Sequence, residues 1–275
     1  MKTNNLQIWA VINLTSDSFV PDSRVKPELF LNTANKYLHE GANILDVGAE
    51  SSRPFASPIT VTEELKRLAP LETLTQTKNG TEIIKNISVD THKAEVARKV
   101  LQWGVSFIND IRAGESDGLL QAVSEHKAGI VLMHSKGTPE VMQVKPQYKD
   151  IVTETIDFLK QRTEKALKFG IDEKKIIWDF GIGFGKTLEH NLILLNNVER
   201  FKQEGFPLLV GVSRKSLMEH LLGIQEVEKR GDATLVFHTY LALQGVDILR
   251  VHDVTPAIQM KRILAAVEAN GNQNG

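Results

Sequence analysis

The sequence predicts an α/β protein in which eight parallel strands, each followed by a helix, close into a (β/α)8 TIM barrel. Short apolar segments rich in β-branched residues recur eight times along the 275 residues, and each precedes a segment with helical spacing. The apolar segments are nearly continuous rather than alternating, which is typical of parallel strands buried on both faces. No domain linker or low-complexity tract interrupts the series.

The eight predicted strands follow one another along the whole chain. They are QIWAVIN (7–13), ANILDVGA (42–49), IKNISVD (84–90), VSFINDI (105–111), AGIVLMH (128–134), KIIWDFG (175–181), PLLVGVS (207–213) and VDILRVHD (246–253). The clearest helical patterns lie over 149–169, 189–204 and 255–269. We expect one domain over residues 1–270 and a flexible tail over 271–275.

An open doubly wound sheet is the alternative architecture. That fold usually carries a glycine-rich turn after its first strand, whereas the segment NLTSDSFVPDSR (13–24) contains no glycine.

Three connections that follow strands are long, namely 14–26, 50–60 and 135–148. Barrel enzymes place their active sites on this side, and loops of about 12 residues or more are often functional.

Composition limits the class of partner. The formal net charge is −1 and there is no basic run, which argues against nucleic acid or an anionic membrane as partner. No stretch approaches the roughly 18 apolar residues of a membrane helix, and the N-terminus lacks the pattern of a signal peptide. The sequence has no cysteine, which excludes disulfides and thiolate chemistry. We therefore expect a cytoplasmic protein that acts on small molecules.

Polar residues occur at or near the C-terminal ends of the predicted strands, which meet at one mouth of a barrel. They are Asn13, Asp46, Asp90, Asn109, His134, Asp179, Lys215, Arg250 and His252. Helix caps need short acceptors, so a capping role does not explain the long or cationic members. Carboxylates and amides suit a flat heterocycle with several N–H donors. Positive charge from Arg53, Lys215, Arg250 and His252 suits a phosphate or pyrophosphate, so the pattern predicts a heterocyclic substrate with a phosphorylated arm.

The segment DFGIGFGKT (179–187) is not a phosphate-binding P-loop. Only three residues separate Gly181 from Gly185, where that motif needs four. We expect these glycines to let backbone approach a bound ring, with Phe184 as one wall of the site. The alternative is a tight turn that merely accommodates packing.

The sequence resembles the dihydropteroate synthases along nearly its whole length. The matching segments are INLTSDSF (12–19), ILDVGAESSRP (44–54), ISVDTHKAEVA (87–97), INDI (108–111), LMHSKGTPEVMQ (132–143), DFGIGFGKT (179–187), GVSRKS (211–216) and RVHDV (250–254). Any one of them is a weak signal, whereas eight in the same order are specific. The resemblance implies condensation of a hydroxymethyl dihydropterin pyrophosphate with p-aminobenzoate, which releases pyrophosphate, with Mg²⁺ as cofactor and a homodimer as the assembly.

The resemblance also implies roles for individual residues. The pterin would be held by Asp90, Asn109, Asp179 and Lys215 over Met133, and the pyrophosphate by Asn13, Arg53, Arg250 and His252, with Asn13 assisting Mg²⁺. The p-aminobenzoate would be framed by Phe19, Ser52, Pro54, Phe184, Ser213 and Lys215. Asp90, Asp179, Lys215, Arg250 and His252 are the implied catalytic residues, because they would stabilise a pterin methylene cation and the departing pyrophosphate.

The sequence departs from the family pattern at a few positions. Ser16 stands in place of the proline that usually follows Asn-x-Thr, and VPDSR (20–24) replaces a glycine-rich stretch. Ser52 replaces threonine, Phe55 replaces glycine, and Phe180 replaces proline. We expect these changes to concern the p-aminobenzoate loops and, through Phe55, to make the enzyme less sensitive to sulfonamides than a typical relative.

Two other functions are weighed against the synthase. Corrinoid-linked methyltransferases that use a folate share the Asp and Asn residues of the pocket but have no need of a pyrophosphate clamp. The clamp residues Arg53, SRKS (213–216) and RVHD (250–253) therefore favour the synthase. The altered first loop also leaves open a pterin-binding barrel without catalysis.

Overall fold

Eight parallel strands form a closed barrel in the computed structural model, which describes residues 5–14, 29–50, 58–137 and 146–271. The strands are β1 (Gln7–Asn13), β2 (Ile44–Gly48), β3 (Ile87–Asp90), β4 (Phe107–Asp110), β5 (Gly129–Met133), β6 (Ile176–Asp179), β7 (Leu208–Val210) and β8 (Ile248–Val251). Each pairs in parallel with its neighbour in the sequence, and β8 closes onto β1. The predicted fold class is confirmed, and every predicted strand contains an observed one.

Helices connect consecutive strands around the barrel. Those in the part of the chain that the structure describes are α1 (Phe30–Glu40), α2 (Val61–Leu74), α3 (Lys78–Ile84), α4 (Ala94–Gln102), α5 (Asp117–Glu125), α6 (Ile151–Lys168), α7 (Leu188–Asn196), α8 (Val198–Lys202), α9 (Leu217–Leu222), α10 (Gly231–Gln244) and α11 (Val254–Gly271). None of these helices is both long enough and apolar enough to traverse a lipid bilayer.

Local chemistry sets the helix boundaries. The Asp150 side chain accepts hydrogen bonds from the backbone N–H groups of Val152 and Thr153, which satisfies two donors at the start of α6. The helix predicted over 189–204 is two helices, because Asn197 interrupts it with φ −116° and ψ 26°. The last helix reaches Gly271, the first residue of the predicted tail, and the other tail residues lie outside the described ranges.

The barrel interior is apolar at one level and polar at the next. The apolar layer is formed by the buried side chains of Trp9, Ile44, Val131, Ile177, Leu209 and Ile248, with Phe107 packed against them. Strand side chains alternate between the two faces, so the residue two positions later also points inward, closer to the C-terminal end. On four strands that residue is Asp46, Asn109, Asp179 or Arg250. The apolar layer therefore closes the barrel beneath a polar mouth.

Candidate active site

Strand register aligns three of the mouth residues and Gly48 side by side. Asn13 pairs with Gly48, Gly48 with Asp90, and Asp90 with Asn109 across β1 to β4. A Cβ atom at Gly48 would lie 3.5 Å from Asn13 Oδ1 and 3.7 Å from Asp90 Cβ. Gly48, which has no side chain, therefore lies between Asn13 and Asp90.

A guanidinium group connects two carboxylates in the mouth. Arg250 Nε donates to Asp46 Oδ2 at 2.5 Å, and the second Arg250 nitrogen, Nη2, donates to Asp90 Oδ2 at 3.0 Å. Asp46 Oδ2 also accepts from Asn109 Nδ2 at 3.0 Å. Burial raises the pKa of Asp90 to about 7, and the charge of Arg250 opposes that rise. Four of the sequence-predicted mouth residues thus form one hydrogen-bonded network.

Asp179 and Lys215 occupy the opposite side of the mouth. Asp179 Oδ1 accepts from the backbone N–H of Gly181 at 2.7 Å, and Lys215 Nζ donates to the carbonyl of Ile182 at 2.7 Å. The same Nζ lies 4.9 Å from the centre of the Phe184 ring, within the range of a cation–π contact. Burial raises the pKa of Asp179 and lowers that of Lys215 to about 8. Lys215 therefore remains mainly protonated at neutral pH.

Met133 is placed beside Asp179 by the pairing of β5 with β6. It is buried, and its Cγ lies 3.3 Å from the position of a Cβ atom at Gly181. An apolar side chain therefore lies next to the carboxylate, as expected for the floor of a ring-binding site.

The glycines of 179–187 are required mainly by contacts within the protein. Gly181 has φ +66°, and a Cβ atom there would lie 2.0 Å from the carbonyl oxygen of His134. Gly185 has φ +64°, and its Cβ atom would lie 2.2 Å from the carbonyl oxygen of Lys136. Tight packing, the alternative considered for the sequence, accounts for these two glycines. Gly183 differs, because its Cβ atom would lie 3.7 Å from Lys215 Cδ.

A buried lysine fastens this turn to the loop after β5. Lys186 Nζ lies 2.9 Å from His134 Nδ1, 3.2 Å from the His134 carbonyl oxygen and 3.0 Å from that of Phe184. The His134 ring packs edge-on against Phe158, with centroids 5.0 Å apart. His134 was expected at the mouth with the other polar residues. Its side chain instead supports the wall behind the mouth.

His252 is held by Ser213 on the β7 side of the mouth. Ser213 Oγ lies 2.9 Å from His252 Nδ1 and accepts from the His252 backbone N–H at 3.3 Å. Burial and, secondarily, the charge of Arg250 lower the pKa of His252 well below its usual value. His252 was expected to add positive charge, but its ring is neutral at pH 7 and acts as a hydrogen-bonding group.

Arg214 and Asp253 fix the turn that carries Ser213 and Lys215. Arg214 adopts φ +55°, and its guanidinium contacts Asp253 through two hydrogen bonds of 3.0 and 2.6 Å. Such a planar two-point contact restricts the side chain more than a single bond does. It ties the loop after β7 to the loop after β8, whose residues face the same mouth.

Some expected residues are not placed at the site. Phe19, Ser52, Arg53 and Pro54 lie outside the described residues, as do Ser16 and Phe55. Phe180 was expected near the p-aminobenzoate loops. It is instead fully buried in the core between the barrel and its helices, where its ring lies 5.1 Å from that of Phe201.

One cluster at the rim was not anticipated from the sequence. Lys93 Nζ donates to Glu50 Oε2 at 2.9 Å and to the fully buried Glu64 at 2.5 Å. Glu50 Oε1 also accepts from the backbone N–H of Ile59 at 2.8 Å. The three charged residues come from separate segments and no motif spacing connects them, so only the fold brings them together.

The fold and the mouth together define a class of protein: a barrel that binds a flat heterocycle through buried acceptors. A family model described as "Pterin binding enzyme" matches residues 9–252. The chain belongs to this family, and the similar proteins described next are dihydropteroate synthases.

The similarity extends over almost the entire length of these relatives. Dihydropteroate synthase from Haemophilus influenzae is 36% identical over 94% of this chain and 93% of its own. The Escherichia coli (strain K12) enzyme is 38% identical over 94% of this chain and 90% of its own.

Solved structures show the same relationship. A Yersinia pestis dihydropteroate synthase in a sulfonamide drug complex has a TM-score of 0.89 and 34% identity, covering 98% of this chain and 96% of that chain. A Xanthomonas albilineans dihydropteroate synthase with 4-aminobenzoic acid has a TM-score of 0.86 and 34% identity, covering 97% and 94%.

Proposed function

We propose that the protein condenses 6-hydroxymethyl-7,8-dihydropterin pyrophosphate with p-aminobenzoate to give 7,8-dihydropteroate and pyrophosphate. The observation that carries the proposal is the mouth of the barrel, where Asp90, Asn109 and Asp179 face Lys215 and Arg250. The relatives at 36% to 38% identity are dihydropteroate synthases, which supports the same assignment.

The pterin fits the acceptor-rich part of the mouth. Its amino group and ring N–H are donors, and carboxylates accept hydrogen bonds without donating when ionised. Asp179 and Asn109 would receive these donors, and Lys215 would donate to an acceptor of the ring. Met133 would contact the ring face. Asp90 would be a further acceptor for the pterin, and Arg250 already orients its carboxylate.

The charge balance of the mouth suits a dissociative reaction. The C–O bond to pyrophosphate breaks first, and the electron pair leaves with the phosphate oxygen. The methylene carbon of the pterin then carries positive charge until the aniline nitrogen attacks it and loses a proton. Asp90 and Asp179 are the carboxylates proposed to lie beside the pterin. A carboxylate that is ionised near the methylene carbon stabilises such a cation more than its neutral precursor.

The leaving pyrophosphate would be held by Asn13, Arg53, Arg250 and His252. The neutral imidazole of His252 contributes an N–H donor, so Arg250 and Arg53 carry the positive charge. Arg250 has further N–H donors besides the two that contact carboxylates. The Arg250 guanidinium would contact the pocket carboxylates and the pyrophosphate at the same time. Departure of the pyrophosphate would therefore change the electrostatic potential in the pterin pocket.

Asn13 fits a role in holding Mg²⁺. Magnesium commonly takes one or two protein oxygens, with waters and substrate phosphates as its other ligands. Asn13 Oδ1 lies at the C-terminal end of β1, 3.5 Å from the position that a Cβ atom at Gly48 would take. Within the described ranges no three His, Cys, Asp or Glu side chains converge on a metal position. The cation, when bound with the substrate, would supply charge neutralisation to the pyrophosphate.

The p-aminobenzoate would be framed by Phe19, Ser52, Pro54, Phe184, Ser213 and Lys215. Phe184 supplies a ring face, and the nearby Lys215 ammonium favours an anionic carboxylate. Deprotonation before attack is unnecessary, because an aniline is already neutral at pH 7. The 4-aminobenzoic acid bound to the Xanthomonas albilineans neighbour supports this substrate.

A homodimer is the assembly we propose. Val236, Tyr240 and Leu243 are exposed on one face of α10 at helical spacing, and Ile263 and Val267 are exposed on α11 beside it. Several exposed apolar side chains on two helices in contact are the composition expected of a protein interface. Light scattering with Val236→Glu as the variant tests the interface, and a monomeric native protein would refute it. The cytoplasmic location expected from the sequence remains a prediction.

The reaction itself is tested by separating pterin binding from turnover. Native protein with Mg²⁺ and pterin pyrophosphate should bind labelled p-aminobenzoate and release pyrophosphate. Pterin binding without either event would mean a barrel that has lost catalysis.

A further inference from the structure

We propose that Asp46 is a positioning residue that sets the hydrogen-bonding polarity of the pterin pocket. It holds the Asn109 amide with its nitrogen facing Asp46 and its oxygen facing the pocket. The role of Asp46 depends on the proposed pterin site and adds a residue to which the family resemblance gave no function.

Asp46 faces the barrel interior at the same level as Asn109, Asp179 and Arg250, and it is completely buried. It is two residues before Gly48 on the same face of β2, and it pairs in register with Ser88 of β3. Because Asp46 is completely buried and contacts Asn109 and Arg250, it acts through these two residues.

A single oxygen of Asp46 receives two donors. Oδ2 accepts from Asn109 Nδ2 at 3.0 Å and from Arg250 Nε at 2.5 Å. Oδ1 is buried and has no hydrogen-bond partner among the described residues. The interaction of Asp46 with its surroundings is therefore concentrated on Asn109 and Arg250.

The carboxylate decides which way the amide faces. The two ends of an Asn side chain are nearly equal in shape but opposite in polarity, and an ionised carboxylate can only accept. Asn109 must therefore present its nitrogen to Asp46, which leaves its oxygen as an acceptor at the mouth. With Asp90 and Asp179 the pocket then offers acceptors, and a ligand edge rich in donors is selected.

Asp46 also fixes the second donor. Arg250 reaches Asp46 through Nε and Asp90 through Nη2, so the guanidinium plane is held between β2 and β3. Removal of the Asp46 carboxylate would therefore remove one hydrogen bond from Asn109 and one from Arg250. Substitution of Asn109 or Arg250 alone would remove only one of these two hydrogen bonds.

Calorimetry with two ligands without phosphates tests the polarity directly: 6-hydroxymethylpterin, and the same ring without its 2-amino group. The native protein should prefer the aminated ring by at least about tenfold, the value of one hydrogen bond to a charged or buried acceptor. Asp46→Val removes the acceptor at nearly constant shape. It should bind the aminated ring at least about tenfold more weakly and lower the preference by at least about threefold, while Asp179 still accepts from the ring.

Two further variants separate orientation from packing. Asp46→Asn keeps an oxygen where Oδ2 lies, so it should retain most of the preference that Asp46→Val loses. Ser88→Ala removes a buried hydroxyl at the paired position, which has no hydrogen-bond partner among the described residues, and should leave both affinities within about twofold.

The proposal is overturned if the native protein does not discriminate between the two rings, if Asp46→Val keeps the preference, or if it weakens both ligands by the same factor. If Asp46→Val does not fold, Asp46→Ala is measured in its place. Failure of native protein to form dihydropteroate would instead refute the proposed function, whatever the Asp46 variants show.

Discussion

Substitution of Asp179 by asparagine separates its two roles in the structure. One carboxylate oxygen accepts from the Gly181 backbone N–H at 2.7 Å, and the amide oxygen of asparagine can keep that bond. The other oxygen becomes an NH₂ group, a donor where the pterin presents donors. Asp179→Asn should therefore leave the turn intact and impair the pocket.

The size of the effect follows from the charge that is lost. A hydrogen bond to a charged group contributes about 1.5 to 3 kcal/mol. A factor of ten in affinity corresponds to about 1.4 kcal/mol, so pterin binding should weaken by roughly tenfold to a hundredfold. Burial raises the pKa of Asp179, which shows that its ionised form is disfavoured by the protein interior. A neutral isostere should thus cost little stability.

Calorimetry with 6-hydroxymethylpterin measures the affinity, and thermal unfolding measures the stability. Asp110→Asn is the matched control. Asp110 is also a buried carboxylate after a strand, and it accepts from the backbone N–H groups of Arg112 and Gly114, each at 2.8 Å. The control should lose about 1 to 3 kcal/mol of stability and keep its pterin affinity. Unchanged affinity in folded Asp179→Asn would refute the assigned role.

Further substitutions test other parts of the mouth. Arg250→Lys keeps the charge but not the planar contact with two carboxylates, so kcat should fall far more than the affinity for a pterin without phosphates, and equal losses would indicate a structural role. Gly181→Ala should unfold the protein at lower temperature than Gly183→Ala, because only the former places a Cβ atom 2.0 Å from a backbone oxygen; similar melting temperatures would contradict the geometry. Burial raises the pKa of Asp90 to about 7, so pterin affinity should increase as pH rises from 5.5 to 7.5 and level off above, whereas a flat profile would exclude Asp90 as the titrating acceptor. The same raised pKa contributes stability that is lost as pH rises through about 7, and the Asp90→Asn variant should lack that loss. Phe55→Gly should lower the ratio of the sulfonamide inhibition constant to the p-aminobenzoate Michaelis constant by about tenfold or more, and an unchanged ratio would show that Phe55 does not exclude the drug.

Strand positions and the direction of the mouth were predictable from the sequence. Parallel strands buried on both faces read as apolar segments, and polar residues at their ends stand out against them. Asp90, Asn109, Asp179 and Arg250 were identified in this way. Alternation within each strand then places them on one inner face.

The pairing of these residues was not predictable. Asp46 and Arg250 are 204 residues apart, and their contact depends on closure of β8 onto β1 and its neighbour β2. His134 ends a predicted strand as the others do, yet its ring turns to Lys186 and away from the mouth. Residue type and spacing do not record which face a side chain takes at the last position of a strand.

Context also changed two local predictions. Phe180 stands where the family pattern implies proline, but it follows the inward-facing Asp179 and so points to the outer core. The pattern over 189–204 continues across Asn197, whose backbone conformation divides it into α7 and α8.

The most direct measurement is detection of the product by mass. Native protein incubated with Mg²⁺, the pterin pyrophosphate and p-aminobenzoate should form 7,8-dihydropteroate and release one pyrophosphate for each molecule formed. Folded protein that binds the pterin and yields no dihydropteroate would contradict the assignment as a synthase.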